Sequence, residues 1–97
     1  MAYRVVWSLK AVEDVEAIAA YIARDSPSYA AAVVQKILGI TQNLASGNGE
    51  GRPIPEFDDC HTMEEFAYSY RLIYRCDDDL YTILAVIHGK KLLYLTD

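Results

Sequence analysis

Basic side chains that could bind an anionic target are concentrated in the second half of this chain. Arg71 and Arg75 lie four positions apart in a segment that alternates large apolar and basic residues, and a His-Gly-Lys-Lys sequence ends the next apolar segment. Arg52 comes earlier, in a loop rich in glycine and proline, where a rigid backbone would hold its charge in place. Guanidinium and ammonium groups bind carboxylates and phosphates, and histidine also transfers protons near neutral pH. The candidate target-binding residues are therefore Arg52, Arg71, Arg75, His88, Lys90 and Lys91.

The same residues also have structural interpretations, which the sequence leaves open. Arg71 and Arg75 would suit a salt-bridged face of a sheet, with Glu64, Glu65 or nearby aspartates as partners. His88 ends an apolar segment, where a histidine that serves only the fold is more common than a catalytic one. The two lysines that follow it would suit a solvated strand end.

Two amphipathic helices are predicted to follow a short N-terminal strand. The β-branched and aromatic residues of Tyr3–Ser8 indicate the strand. Apolar residues at spacings of three and four then predict a helix that Ser8 caps and that ends before Asp25. Ser26 before a proline is typical of a new helix start, so the second helix is predicted over Pro27–Ala45. Alanines in both helices favour a closely packed antiparallel hairpin.

The second half predicts a loop and then three strands. Pro53 and Pro55 exclude a central strand from the predicted loop over 49–61. Strands are predicted at Thr62–Ala67, Tyr70–Cys76 and 83–91, with an acidic turn at 77–79 and a short apolar tail at 92–97. The order β-α-α-β-β-β predicts an α+β fold, a two-layer sandwich with the helical hairpin on a mainly antiparallel four-stranded sheet. Exposed aromatics are expected on the opposite face, from among Tyr68, Tyr70, Tyr74 and Tyr81.

Composition narrows the class of protein. The chain has 97 residues, of which 53% are hydrophobic, so we expect residues 1–97 to form a single globular domain. Fourteen acidic against nine basic residues give a net charge of -5, which argues against direct binding of duplex DNA. Without a signal peptide or a membrane-spanning run, we expect a cytoplasmic protein in which Cys60 and Cys76 are reduced. We expect no metal site, because His61 beside Cys60 is a single pair of ligands.

Four segments together resemble the RelE/ParE superfamily, the toxins of type II toxin–antitoxin modules that are often called plasmid stabilisation proteins. Those segments are Trp7–Ile22, Gly51–Phe57, Tyr70–Arg75 and Ile83–Gly89, in the family's order and spacing. The resemblance implies the same β-α-α-β-β-β fold and a cognate antitoxin that folds onto the toxin. ParE-like members inhibit DNA gyrase, whereas RelE-like members cut messenger RNA on the ribosome.

The residues resemble the ParE-like pattern more closely than the RelE-like one. The loop of Gly51–Glu56 and the strand of Tyr70–Arg75 match it, although Glu64-Glu65 replaces an Arg-Glu pair and Lys90-Lys91 replaces two arginines. In the RelE-like pattern Arg71 matches the central arginine, but Thr62, Glu64 and Leu93 fall near positions where that pattern has basic residues. We therefore expect a toxin that inhibits DNA gyrase by binding, without catalysis or a cofactor.

Two alternatives stay open at this point. The first is a ribosome-dependent endoribonuclease acting on messenger RNA, in which Arg71 would bind the phosphate and His88 or a nearby tyrosine would transfer protons. The second is a degenerate member of the superfamily that binds its antitoxin and is no longer toxic.

Overall fold

The computed structural model describes residues 3–58 and 60–90. Two helices pack on one face of a mixed β-sheet, an α+β arrangement in two layers as the sequence predicted. In chain order the elements are β1 (Arg4–Trp7), α1 (Leu9–Ala23), α2 (Pro27–Ala45), β2 (Arg52–Pro53), β3 (Thr62–Ala67), β4 (Tyr70–Asp77) and β5 (Leu80–His88).

The sheet has five strands in the order β1-β5-β4-β3-β2, so the prediction of four strands was wrong. The additional strand is β2, two residues within the predicted loop that pair with β3 through Arg52↔Glu64 and Pro53↔Met63. Proline is tolerated there because β2 is an edge strand with a neighbour on one side. The strand β1 runs parallel to β5, and the other neighbouring strands are antiparallel.

Capping residues define the helix starts, as the sequence predicted. The Ser8 hydroxyl accepts a hydrogen bond from the Ala11 amide at 3.0 Å, and the Ser26 hydroxyl accepts one from the Tyr29 amide at 3.1 Å. These bonds satisfy backbone donors that have no partner within the first helical turn. The second helix ends before Gly47, which adopts a φ of 83°.

The hydrophobic core lies between the helices and the sheet. Val33 and Leu44 of α2 are fully buried against Leu72 of β4 and Ile83 of β5. The aromatic residues did not follow our prediction of exposure on the opposite face: Tyr74 is buried in this core and Tyr70 and Tyr81 pack against it, while only Tyr68, in the β3–β4 turn, is exposed. Tyr70 and Tyr74 both face the helices because alternate residues of β4 share one face of the sheet.

The opposite face of the sheet is covered in part by the segment after β2. Ile54 is buried there, as are Ile73 of β4 and Ala85 of β5, outside the core between helices and sheet. Strand β5 begins at Leu80, earlier than predicted, because the turn closes at Asp78 with a φ of 54°. Lys91 and the predicted tail at 92–97 lie outside the described residues. Among the described residues, no helix has the length and apolar character to cross a membrane.

Candidate functional site

Arg71 is the centre of a buried charge network on the face of the sheet that lies opposite the helices. Its side chain is 4% exposed, and its Nη1 and Nη2 atoms donate to the two carboxylate oxygens of Glu56 at 2.7 and 2.8 Å. The Nε atom donates to Oε1 of Glu64 at 2.7 Å, and Glu64 is equally buried. The remaining oxygen of Glu64 accepts a hydrogen bond from Nε of Arg52 at 3.1 Å.

The strand register brings these side chains together. Arg52 lies opposite Glu64 across β2 and β3, and Arg71 lies opposite Phe66 across β3 and β4. Because Glu64 and Phe66 are two positions apart on β3, their side chains share a face with both arginines. The guanidinium of Arg52 also lies over the Phe66 ring, 5.7 Å from its centroid.

The network is electrically balanced, since two guanidinium groups face two carboxylates. The hydrogen bonds from Glu56 raise the pKa of the Arg71 guanidinium, and the charge of Glu64 adds to this effect. A fork of parallel hydrogen bonds is among the strongest ionic contacts in proteins. Glu56 therefore fixes the segment after β2 to the centre of the sheet, and Arg71 presents no open guanidinium surface to a target.

The other candidate cations are exposed and lie apart from one another. The Arg52 side chain is 72% exposed despite its contact with Glu64. Arg75 lies on the same face of β4 as Arg71, roughly 13 Å further along the strand, with Nε donating to Oδ2 of Asp77 at 3.0 Å. Lys90 is exposed just beyond the end of β5.

His88 lies on the other face of the sheet from Arg71. It pairs with Tyr70, whose side chain packs on the helix side, while Arg71 pairs with Ile87. The imidazole contacts the Tyr70 ring edge-on, with 5.6 Å between ring centroids. Its Nδ1 atom accepts a hydrogen bond from the Lys90 amide at 3.2 Å, so the neutral ring carries its proton on Nε2. The sheet thus separates the two residues that a ribonuclease would use together.

A groove beside His88 was not foreseen from the sequence. It has a volume of about 580 Å³ and lies between α1 and the last residues of β5. Its lining residues are Lys10, Asp14, Ala17, Ile18, Tyr21, Tyr70, Val86, Ile87 and His88. Tyr21 is 68% exposed, and burial together with the neighbouring Tyr29 and Tyr21 raises the pKa of Tyr70. The sequence showed the apolar spacing of α1. It did not show that this helix lies beside the edge of a strand.

The groove follows an open edge of the sheet. Strand β1 pairs with β5 only as far as Ile83, although β5 continues to His88. Beyond that point side chains replace a strand: the Ser8 hydroxyl donates to the Leu84 carbonyl at 3.0 Å, and Oδ2 of Asp14 accepts from the Val86 amide at 2.9 Å. An edge of this kind accepts the main chain of an extended peptide.

The predicted site residues therefore form separate groups. Arg52 and Arg71 meet through Glu64, whereas Arg75, His88 and Lys90 belong to other parts of the surface. Across residues 3–58 and 60–90, no three His, Cys, Asp or Glu side chains converge in a way that could hold a metal ion. The arrangement suits binding through exposed cations and a strand edge.

A family comparison identifies this fold. Residues 5–93 match the model of the ParE toxin of the type II toxin–antitoxin system parDE. The chain belongs to the ParE toxin family. Its membership confirms the resemblance to the RelE/ParE superfamily that the four sequence segments indicated.

Solved structures share the fold of this ParE-family chain. The chain superposes on one from the chromosomal ParDE toxin–antitoxin system of P. aeruginosa with a TM-score of 0.70 at 21% identity, covering 92% of this chain and 98% of that one. For the RelBE2 toxin–antitoxin complex of Mycobacterium tuberculosis the TM-score is 0.57 at 25% identity, with 91% and 99% covered. For the YoeB dimer of Staphylococcus aureus it is 0.65 at 16% identity, with 91% and 98% covered. No curated protein sequence matches significantly.

These matches establish the chain as a toxin of the type II toxin–antitoxin class. The structural neighbours come from ParDE, RelBE and YoeB systems, so the fold is common to the whole superfamily. The fold alone therefore does not select the cellular target.

Proposed function

We propose that this ParE-family toxin inhibits DNA gyrase by binding it and that a cognate antitoxin neutralises the toxin. The family match to the ParE toxin and the ParE-like loop and strand motifs support a gyrase target. The sequence suggested Arg52, Arg71, Arg75, His88, Lys90 and Lys91 as contacts; of these, Arg71 is buried in its ion pairs and would support the contact surface from within the sheet.

The observation that carries a binding mechanism is the separation of Arg71 from His88. Cleavage of RNA requires a cation at the scissile phosphate and a proton-transfer group within hydrogen-bonding reach of the same bond. Here the donors of Arg71 are held by two carboxylates, and His88 faces the helix side of the sheet. This geometry favours a protein that acts through surface contacts over one that handles a phosphate.

The exposed cations are the contacts that can be altered without disturbing the fold. Removal of the Arg52 side chain leaves Glu64 paired with Arg71, and Lys90 is exposed. Exposed interface cations act on affinity and association rate through complementary charge on the partner. Their loss should weaken gyrase inhibition while leaving the free energy of unfolding nearly unchanged.

A supercoiling assay with purified gyrase tests the proposal. We expect the toxin to block supercoiling of relaxed plasmid, and we expect Arg52→Ala and Lys90→Ala each to raise the half-inhibitory concentration about fivefold to tenfold. Arg24→Ala is the matched control, because Arg24 is an exposed arginine at the end of α1, outside the candidate contacts. A result in which Arg24→Ala weakens inhibition as much as the two test variants contradicts the assignment of these contacts.

Assays with the same purified toxin distinguish the gyrase proposal from the two alternative functions. Unchanged supercoiling, together with cut transcripts in a translating extract, would replace the proposal with a ribosome-dependent endoribonuclease. Unchanged supercoiling and intact transcripts, with antitoxin binding retained, would indicate a degenerate toxin.

The open edge of β5 supports the antitoxin as a partner. Similar structures include toxin–antitoxin complexes, among them RelBE2 and DinJ-YafQ. Within residues 3–58 and 60–90, no strand pairs with β5 on its β1 side beyond Ile83, and the aromatic groove beside it offers apolar contacts to an extended segment. Main-chain hydrogen bonds to such a segment would lie past the Leu84 carbonyl and the Val86 amide, which Ser8 and Asp14 occupy. We expect the cognate antitoxin to restore supercoiling when it is added at an equimolar ratio.

A further inference from the structure

Cys60 and Cys76 approach each other at the end of the sheet away from His88. The Cys76 amide donates a hydrogen bond to the His61 carbonyl at 2.9 Å, which extends the β3–β4 ladder one step beyond the Thr62↔Arg75 pair. Cys60 directly precedes His61 in the chain. In such a hydrogen-bonded pair the Cα atoms are about 5.5 Å apart, and consecutive Cα atoms are about 3.8 Å apart, so the Cα atom of Cys60 lies at most about 9 Å from that of Cys76, a span that includes the range of disulfides.

Both cysteines line the same cavity. This cavity has a volume of about 430 Å³, and His61, Met63, Tyr74 and Tyr81 also contribute to its wall. Cys60 lies in the turn before β3, where the alternation of a strand does not impose a side-chain direction. Cys76 lies directly opposite Tyr81 across β4 and β5, so its side chain shares a face of the sheet with a residue of this wall.

The two thiols differ in solvent exposure. Neither cysteine is part of a disulfide; Cys60 is exposed and Cys76 is half-buried. The sulfur of Cys76 has a weak contact with the Asp78 carbonyl at 3.8 Å, which would not compete with a covalent bond. An exposed thiol beside a half-buried second thiol is the arrangement of an attacking and a resolving cysteine.

We propose that Cys60 and Cys76 form a reversible intramolecular disulfide by exchange with a low-molecular-weight disulfide such as glutathione disulfide. The Cys60 thiolate attacks one sulfur of glutathione disulfide, forms a mixed disulfide and releases one glutathione thiolate. The Cys76 thiolate then attacks the Cys60 sulfur, forms the protein disulfide and releases the second glutathione thiolate. The protein loses two electrons and two protons, and glutathione disulfide gains them.

The crosslink would fasten the turn before β3 to the end of β4. It would connect Cys60 and Cys76 through a covalent bond next to the hydrogen bond that already joins His61 and Cys76. Because the bond restricts the unfolded chain between positions 60 and 76, the oxidised protein should melt several degrees above the reduced one. This modification is independent of the gyrase proposal and can be measured without any target.

Intact mass spectrometry under non-reducing conditions tests the proposal. The purified full-length chain is incubated with a graded excess of glutathione disulfide. The wild type should lose the mass of two hydrogen atoms, resist alkylation and regain both free thiols after reduction. Cys76→Ser should instead stop at a stable glutathione adduct on Cys60, because its resolving thiol is missing.

Conservative variants keep the test independent of folding. Cys60→Ser alters an exposed side chain, and we expect it to take up glutathione at Cys76 more slowly than Cys76→Ser does at Cys60. The double serine variant should show no melting shift with glutathione disulfide. Any of three results for the wild type would overturn the proposal: glutathione adducts as persistent as those of Cys76→Ser, disulfide-linked dimers, or two thiols that remain open to alkylation.

Discussion

Arg71 contributes to folding in a way that Arg75, four residues along the same strand, does not. Arg71 is paired with two carboxylates in a buried site, whereas Arg75 is partly exposed and its partner Asp77 is exposed as well. Loss of one partner from a buried ion pair costs about 3–5 kcal/mol, because the charge left behind has no compensation. An exposed pair contributes about 0–1 kcal/mol.

We therefore expect Arg71→Ala to lower the free energy of unfolding by about 3–5 kcal/mol, because Glu56 and Glu64 are left facing each other. Arg75→Ala is the matched control and should lower it by less than about 1 kcal/mol. Urea unfolding followed by circular dichroism measures both values. Addition of Glu64→Gln to Arg71→Ala should recover part of the loss. Equal costs for the two alanine variants would show that the buried network does not stabilise the fold.

This difference also affects how toxicity data should be interpreted. Normal growth of cells that express Arg71→Ala would indicate a poorly folded toxin. Normal growth with Arg52→Ala would indicate a lost contact with the target. The sequence predicted Glu64 as a possible partner of Arg71, and the 2.7 Å contact confirms that interpretation. The sequence did not identify Glu56 as a partner of Arg71, because this contact depends on how a loop with two prolines crosses the sheet.

The helices and the central strands could be predicted because local chemistry determines them. Ser8 and Ser26 satisfy backbone donors within their own first turns, and the alternation of apolar and basic residues in β4 has the two-residue period of a strand. The strand β2 was missed because two residues carry no periodicity and one of them is a proline. Its pairing depends on β3, which lies about ten residues later in the chain and supplies Glu64.

The structure explains why the position of Gly51, immediately before β2, requires glycine. A Cβ atom at this position would overlap the hydroxyl of Tyr74, and Tyr74 is buried and packs edge-on against Tyr81, so its ring has no room to move. Gly51→Ala should therefore lower the free energy of unfolding by about 1–3 kcal/mol, the usual cost of overpacking.

Gly39→Ala should have the opposite effect on the free energy of unfolding in the same experiment. A Cβ atom at Gly39 meets nothing within 4 Å, and the residue lies inside α2. Alanine there should raise the free energy of unfolding by about 0.5–1 kcal/mol through helix propensity. Paired urea titrations compare the two variants, and a Gly51→Ala protein as stable as wild type would exclude a close contact between β2 and Tyr74.

At the scale of the whole molecule, the two faces of the sheet differ in a way that composition did not predict. Of the tyrosines that we expected on the open face, Tyr70, Tyr74 and Tyr81 pack under the helices, and a charge network with the loop of Glu56 covers part of the other face. Counting aromatic residues gives no information on which face they take. The register decides this, because a shift of one residue would exchange the two sets of side chains.

The buried tyrosines couple the stability of the whole fold to high pH. Burial raises the pKa of Tyr74 above its ordinary value of 10.0, and the neighbouring Glu65 carboxylate raises it further. Burial also raises the pKa values of Tyr70 and Tyr81. In the unfolded chain these phenols ionise near pH 10, so above that pH the unfolded state binds fewer protons than the folded state. The stabilisation is fully present below about pH 10 and is lost as the pH rises further.

We therefore expect the free energy of unfolding to fall between about pH 10 and about pH 12, with Tyr74 contributing about 1.4 kcal/mol per pH unit in this range. Urea unfolding at stepped pH measures the slope, and tyrosinate absorbance follows ionisation of the folded protein. Tyr74→Phe should make the slope shallower, because phenylalanine keeps the packing and removes the ionisable group. Tyr21→Phe removes an exposed hydroxyl and should leave the slope as in wild type. If both variants retain the wild-type slope, the alkaline loss of stability originates from groups other than Tyr74.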